Sequence, residues 1–250
     1  MSANEIAVIV FGCTFGGAMV GMFIAGRLPD HHLSSESRDV VRMAVGTVAT
    51  LAALVIGLLI ATEKGSFDTR DSELRQFSAN LILLDRQLVH YGPEAQEARE
   101  LLKRYASYKL DATWKTRASS SAKDPDGWML LEDVQDRIRA LTPASDGQRW
   151  LQSRALQISG DLAKTRWLLD VQTGSSIPGA FLVLLVFWLA AIFTSFGLLA
   201  PINTTVITAL FVCALSVSGA IFLVVEMDEP FEGLIQISSE PMRDALAHLR

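Results

Sequence analysis

Four stretches of about twenty residues, at 6–25, 43–62, 177–199 and 206–225, are nearly free of charge, and they restrict the fold of this 250-residue chain more than anything else in it. At about 1.5 Å per residue, a helix of that length matches the roughly 30 Å hydrocarbon core of a bilayer. Backbone polar groups in lipid must be satisfied internally, so each stretch is expected as a helix. Half of the residues are hydrophobic, and the mean hydropathy of +0.31 is high for a soluble enzyme. The first run follows Glu5 rather than a basic residue, which favours a retained span over a cleaved signal.

Basic residues flanking the spans set the expected orientation. Lys64, Arg70, Arg75, Lys164, Arg166 and Arg243 share the side of the central segment and both termini, whereas Arg27, Arg38 and Arg42 lie on the other. This bias puts the central segment and both termini in the cytoplasm. Residues 63–176 hold 17 basic and 17 acidic side chains, so the net charge of −5 originates elsewhere. From Glu226 onward six acids face only Arg243 and Arg250, which argues against a nucleic-acid partner. Cys13 and Cys213 fall inside apolar runs and are expected as buried thiols, not as a disulfide framework.

The fold class is therefore an all-α membrane protein with four transmembrane helices and a cytoplasmic helical bundle inserted between the second and third. The segments are a first helix pair (1–62), the bundle (63–176), a second pair (177–226) and an acidic C-terminal part with a short amphipathic helix (227–250). In the insert, Leu74, Phe77, Leu81, Leu84, Leu88 and Tyr91 recur at steps of three and four, the period of a packed helical seam. Gly92-Pro93 ends this helix and opens the next, with Ala98, Leu101, Tyr105, Tyr108 and Ala112 on one face. The serine-rich stretch 119–127 is expected to be a loop. A third helix has Leu131, Val134, Ile138 and Leu141 in register. Thr142-Pro143 is expected to open a fourth, with Leu151, Ala155, Ile158, Leu162, Thr165 and Leu169 as its seam.

Enzyme signatures are absent: there is no nucleophile elbow, phosphate loop, zinc-binding His-Glu-x-x-His or dinucleotide glycine pattern. The cores of the spans carry no ionisable residue, so no enzymatic activity is expected. Span one has Gly12-x-x-x-Gly16 and Gly17-x-x-x-Gly21, a spacing that lets helices approach closely in lipid. Span two aligns Gly46, Thr50, Ala53 and Gly57, with Thr47 beside them, on a face that either packs or lines a pore. Arg42 at its outer end either biases an entrance towards anions or anchors the helix at the interface. Span four repeats the pattern with Thr205, Thr208, Val212, Ser216 and Gly219. Span three, with Phe181, Phe187, Trp188, Phe193 and Phe196, is expected to face lipid. His31-His32 lacks a third ligand and reads as a polar turn. Glu226, Asp228, Glu229 and Glu232 around Pro230 either bind a cation such as calcium or form a solvated stop after the last span.

The order of two spans, helical insert, two spans and acidic Pro-Phe segment resembles the bestrophins. Three stretches, at 28–46, 64–95 and 227–246, are more similar to the uncharacterised bestrophin-like proteins of bacteria and plants, and the likeness extends over essentially the whole chain. The resemblance implies a ring of subunits around an anion pore lined by span two, with the acidic segment in a calcium clasp. The bestrophin pore neck is bulky and apolar, however, and here the corresponding positions are Gly46, Thr47, Thr50 and Ala53, so the constriction does not transfer. The expected function is a homo-oligomeric ion channel or channel-like protein of the bacterial inner membrane, acting on inorganic ions. The alternative is a non-conducting scaffold or sensor that binds a cytoplasmic partner through its insert.

Overall fold

The computed structural model describes residues 2–27, 35–114, 125–171, 177, 179–231 and 233–249. Its helices are α1 (Ala3–Ala25), α2 (Ser35–Tyr91), α3 (Gln96–Trp114), α4 (Pro125–Ala140), α5 (Asp146–Val171), α6 (Gly179–Leu199), α7 (Thr204–Asp228) and α8 (Glu240–His248). Four of these, α1, α2, α6 and α7, are long and apolar enough to cross a membrane. The chain divides into two compact units. One holds Met1–Phe67 and Ser175–Glu229, the other Asp68–Gly174 and Pro230–Arg250, so the C-terminal segment folds with the insert.

In the first unit, local chemistry marks the helix starts. The Ser2 hydroxyl accepts from the Glu5 amide at 3.3 Å while the Glu5 carboxylate accepts from the Ser2 amide at 2.9 Å, a capping box that opens α1. The Asn203 side chain caps α7 by accepting from the Val206 amide at 2.8 Å. The interior is set by α1 crossing α6. A Cβ on Gly21 would collide with the Thr194 carbonyl, and one on Gly197 with the Ala18 carbonyl, so two backbones touch where only glycine fits. Gly17 lies on the same crossing, whereas Gly12 and Gly16 have nothing within 4 Å of a Cβ. Ser218 of α7 donates to the Ala7 carbonyl at 2.6 Å, an interhelical bond beneath the ring contacts of Phe211 with Phe11 and Phe15.

Two expectations need correction here. Cys13 and Cys213 are exposed in the protomer, because each sits on the side of its helix turned away from the α1–α7 contact. On α6, Phe181, Phe187 and Phe196 are exposed, but Phe193 is buried, since this helix supplies the partner surface for α1.

In the second unit every residue of the α2 seam, from Leu74 to Tyr91, is buried. On α3 the core face is Ala98, Leu102, Tyr105 and Ala106, so the face is rotated and Tyr108 and Ala112 are only half-buried. Leu131, Val134 and Ile138 of α4 and Ala155, Ile158 and Leu162 of α5 complete the cluster, together with Met242, Ala245 and Leu249. Helix α5 begins later than expected. The Ser145 hydroxyl, not Thr142, accepts from the Gln148 amide at 3.2 Å, and the Gln148 side chain accepts from the Ala144 amide at 2.8 Å. Gly92, at φ +128°, ends α2 in a conformation that disfavours any Cβ.

Candidate pore-facing helix and acidic exit segment

Helix α2 stands apart from the other spans in how little of it its own chain covers. Its apolar window is 6% buried, against 28% for α1 and α6 and 22% for α7. Val45, Ala49, Ala52, Ile56 and Leu59 share one side and join the cluster formed with Leu185, Leu189 and Ile221. At about 100° per residue, Leu54 points directly away from that packed side, with Thr47 and Leu58 close by. Leu54 and Leu58 are 70% and 67% exposed. Gly46, Ala53 and Gly57 lie roughly a quarter turn round from the packed side, and Thr50 lies between the two groups. All are exposed, and a Cβ at Gly46 or Gly57 would meet nothing within 4 Å.

The two threonine hydroxyls need no further partner in lipid. Thr47 donates to the Met43 carbonyl at 3.1 Å and Thr50 to the Gly46 carbonyl at 2.9 Å, each one turn back on its own helix. Their oxygens remain as acceptors on the surface. Arg42 lies 3.9 Å from Asp39 with both side chains exposed, which offsets part of its charge. A second uncovered line runs along α7 through Thr205, Thr208, Val212, Ser216 and Gly219. Ser216 there donates to the Val212 carbonyl at 2.8 Å.

At the end of α7 the helix continues to Asp228. Glu226 and Asp228 are therefore helical; both are buried, and Glu229 is exposed at the C-cap. Glu232 and His31-His32 lie outside the described residues, as does most of the 119–127 stretch. Among the described residues, no three His, Cys, Asp or Glu side chains are grouped to hold a metal ion.

Beyond Glu229 the chain is pinned within the second unit in a way that periodicity does not reveal. The Ile237 amide donates to the Pro230 carbonyl at 2.7 Å, closing a turn that contains Gly233 at φ +80°. The Trp114 indole donates to the Ile237 carbonyl at 3.2 Å and meets Phe231 edge-on at 5.8 Å. Further along, Ser78 of α2 contacts the Met242 sulfur at 3.9 Å. The only sequence signal was a tryptophan closing a polar helix and a Pro-Phe pair with no apolar neighbours.

A family model described as the Bestrophin-like domain matches residues 12–242, which takes in most of α1, the other three apolar helices and the insert. The chain belongs to the bestrophin-like family. Membership and the four apolar helices place it among bestrophin-like membrane proteins. No curated protein and no solved structure matches it. For a bestrophin-like chain the informative geometry is the uncovered surface of α2 and the buried acids at the exit of α7.

Proposed function

We propose that this bestrophin-like protein is a homo-oligomeric ion channel of the bacterial inner membrane, with α2 nearest the axis and the helical insert in the cytoplasm. The observation that carries this reading is the near-bare apolar window of α2, 6% buried within the protomer. Leucine facing lipid needs no cover, but a side with glycine gaps and hydroxyls is the kind that helices use to approach one another. Cyclic symmetry repeats such a contact around an axis.

In that ring Gly46, Ala53 and Gly57 pack laterally against the next copy, and Thr47, Thr50, Leu54 and Leu58 line the path. Threonine oxygens coordinate a passing ion's water, and the leucines form an apolar constriction that gates by dewetting. Arg42 at the outer mouth favours anions. Glu226, Asp228, Glu229 and Glu232 supply carboxylates for a regulatory calcium ion, which takes six to eight oxygens at about 2.4 Å.

Purified protein in liposomes tests this by chloride and potassium flux, with calcium present and chelated. Chloride flux that disappears in a correctly assembled Thr50→Trp variant is expected. Flux unchanged by that substitution would remove α2 from the path. Calcium dependence that survives Asp228→Asn with Glu229→Gln would remove the acids from regulation.

A further inference from the structure

Helix α5 carries two strongly exposed tryptophans, Trp150 at 64% near its start and Trp167 at 55% near its end. Their surroundings differ. Trp167 meets Trp128 of α4 edge-on, with ring centroids 5.3 Å apart. Behind the pair, the fully buried Arg166 sets its guanidinium 4.7 Å from the Trp128 ring, which fixes that indole in place. Met129 at 56% and Leu168 at 37% exposure extend the apolar surface, and Lys164 is exposed one turn back. Trp150, in contrast, lies among Asp146, Arg149 and Arg154, all exposed.

An indole joins a large apolar body to one N–H donor, and tryptophans with lysine beside them are enriched where a bilayer meets water. Chain connectivity brings the membrane within reach. Helix α5 ends at Val171 and the apolar α6 begins at Gly179, so seven residues connect them. That is at most about 25 Å of extended chain. Trp150 is seventeen residues further back, about 25 Å along the same helix.

We propose that Trp128, Met129, Trp167 and Leu168 form a lipid-docking surface that sits in the headgroup–acyl boundary of the bilayer, with Lys164 meeting anionic headgroups. The partner is phospholipid, and the contact is independent of ion conduction.

The test uses the full chain in phosphatidylcholine–phosphatidylglycerol vesicles. Two proteins keep a single tryptophan, Trp167 or Trp150, with the others changed to phenylalanine. Emission is quenched either by a phosphatidylcholine with a nitroxide near the top of its acyl chain or by aqueous iodide. Trp167 is expected to lose at least half of its emission to the lipid nitroxide and to resist iodide, with the opposite pattern for Trp150. Iodide quenching of Trp167 as strong as that of Trp150 would overturn the proposal. So would a Trp167 reached by neither quencher, which would place it against a second copy or another protein. If the single-tryptophan proteins fail to fold, a fluorophore on Met129→Cys, with Cys13 and Cys213 changed to serine, gives the same readout with all five tryptophans in place.

Discussion

Gly12 and Gly21 belong to consecutive motifs on α1, yet their surroundings are opposite. Gly21 touches the α6 backbone, so Gly21→Leu is expected to prevent α1 and α6 from packing and to abolish a cooperative melt in detergent. Gly12 has open space, and Gly12→Leu should leave the protomer's melt within about 0.5 kcal/mol of wild type. Spacing pointed to close approach, which the protomer shows at Gly17 and Gly21 and not at Gly12 and Gly16; it could not tell them apart, because four glycines within ten residues point around the helix. The same limit applies to buried polar pairs. Asp85 and Arg99 meet at 2.8 Å between α2 and α3, with only 6% and 20% of their side chains exposed. Asp85→Ala removes the guanidinium's carboxylate and leaves it the Gln96 side chain at 3.3 Å, and should cost about 1–3 kcal/mol by denaturant unfolding. Tyr91 is buried and its hydroxyl has no hydrogen-bond partner, and burial, followed by the charge of Glu94, raises its pKa above the ordinary value. A neutral phenol favoured by folding contributes stability below the usual range near 10 that is lost as pH rises beyond it. Tyr91→Phe should therefore be neutral or stabilising by up to about 1 kcal/mol at pH 7, and its alkaline melting profile should be flatter than that of wild type.

Among the elements, those with strong periodicity were legible. The α2 seam is buried at all six positions because steps of three and four allow a single face. On α3 the choice of face failed by about one residue: Leu101 and Leu102 are adjacent, and only the tertiary partner decides which turns inward. The start of α5 was misplaced because two hydroxyl residues, Thr142 and Ser145, compete, and Gln148 at the third helical position favours Ser145. Helix α8 was legible as amphipathic, but not its place in the insert's core, because that contact is non-local. Met242 and Ala245 are 1% and 0% exposed, so Ala245→Asp should bury an unpaired carboxylate. Limited proteolysis is expected to cut the variant's insert far sooner than that of wild type.

For the whole molecule, four charge-poor runs and a neutral, periodic insert were sufficient to read the architecture, because lipid allows few alternatives to helices. The candidate site was less legible. Sequence gathered Gly46, Thr47, Thr50, Ala53 and Gly57 onto one face, and only the packed side of α2 divides them into a lateral group and a group directed outward with Leu54 and Leu58. The acids at the end of α7 could be recognised as a cluster, whereas the burial of Glu226 and Asp228 could not, because it depends on tertiary contacts at the helix end. The central claim, that α2 borders an ion path, is met most directly by placing single cysteines along α2 of a protein whose Cys13 and Cys213 are serine, and recording ion flux while a charged, water-borne thiol reagent is added. The reagent is expected to alter flux at positions 47, 50 and 54 and to leave it unchanged at 45, 49 and 52. Flux altered at none of these positions, in protein that conducts and is fully assembled, would contradict that claim.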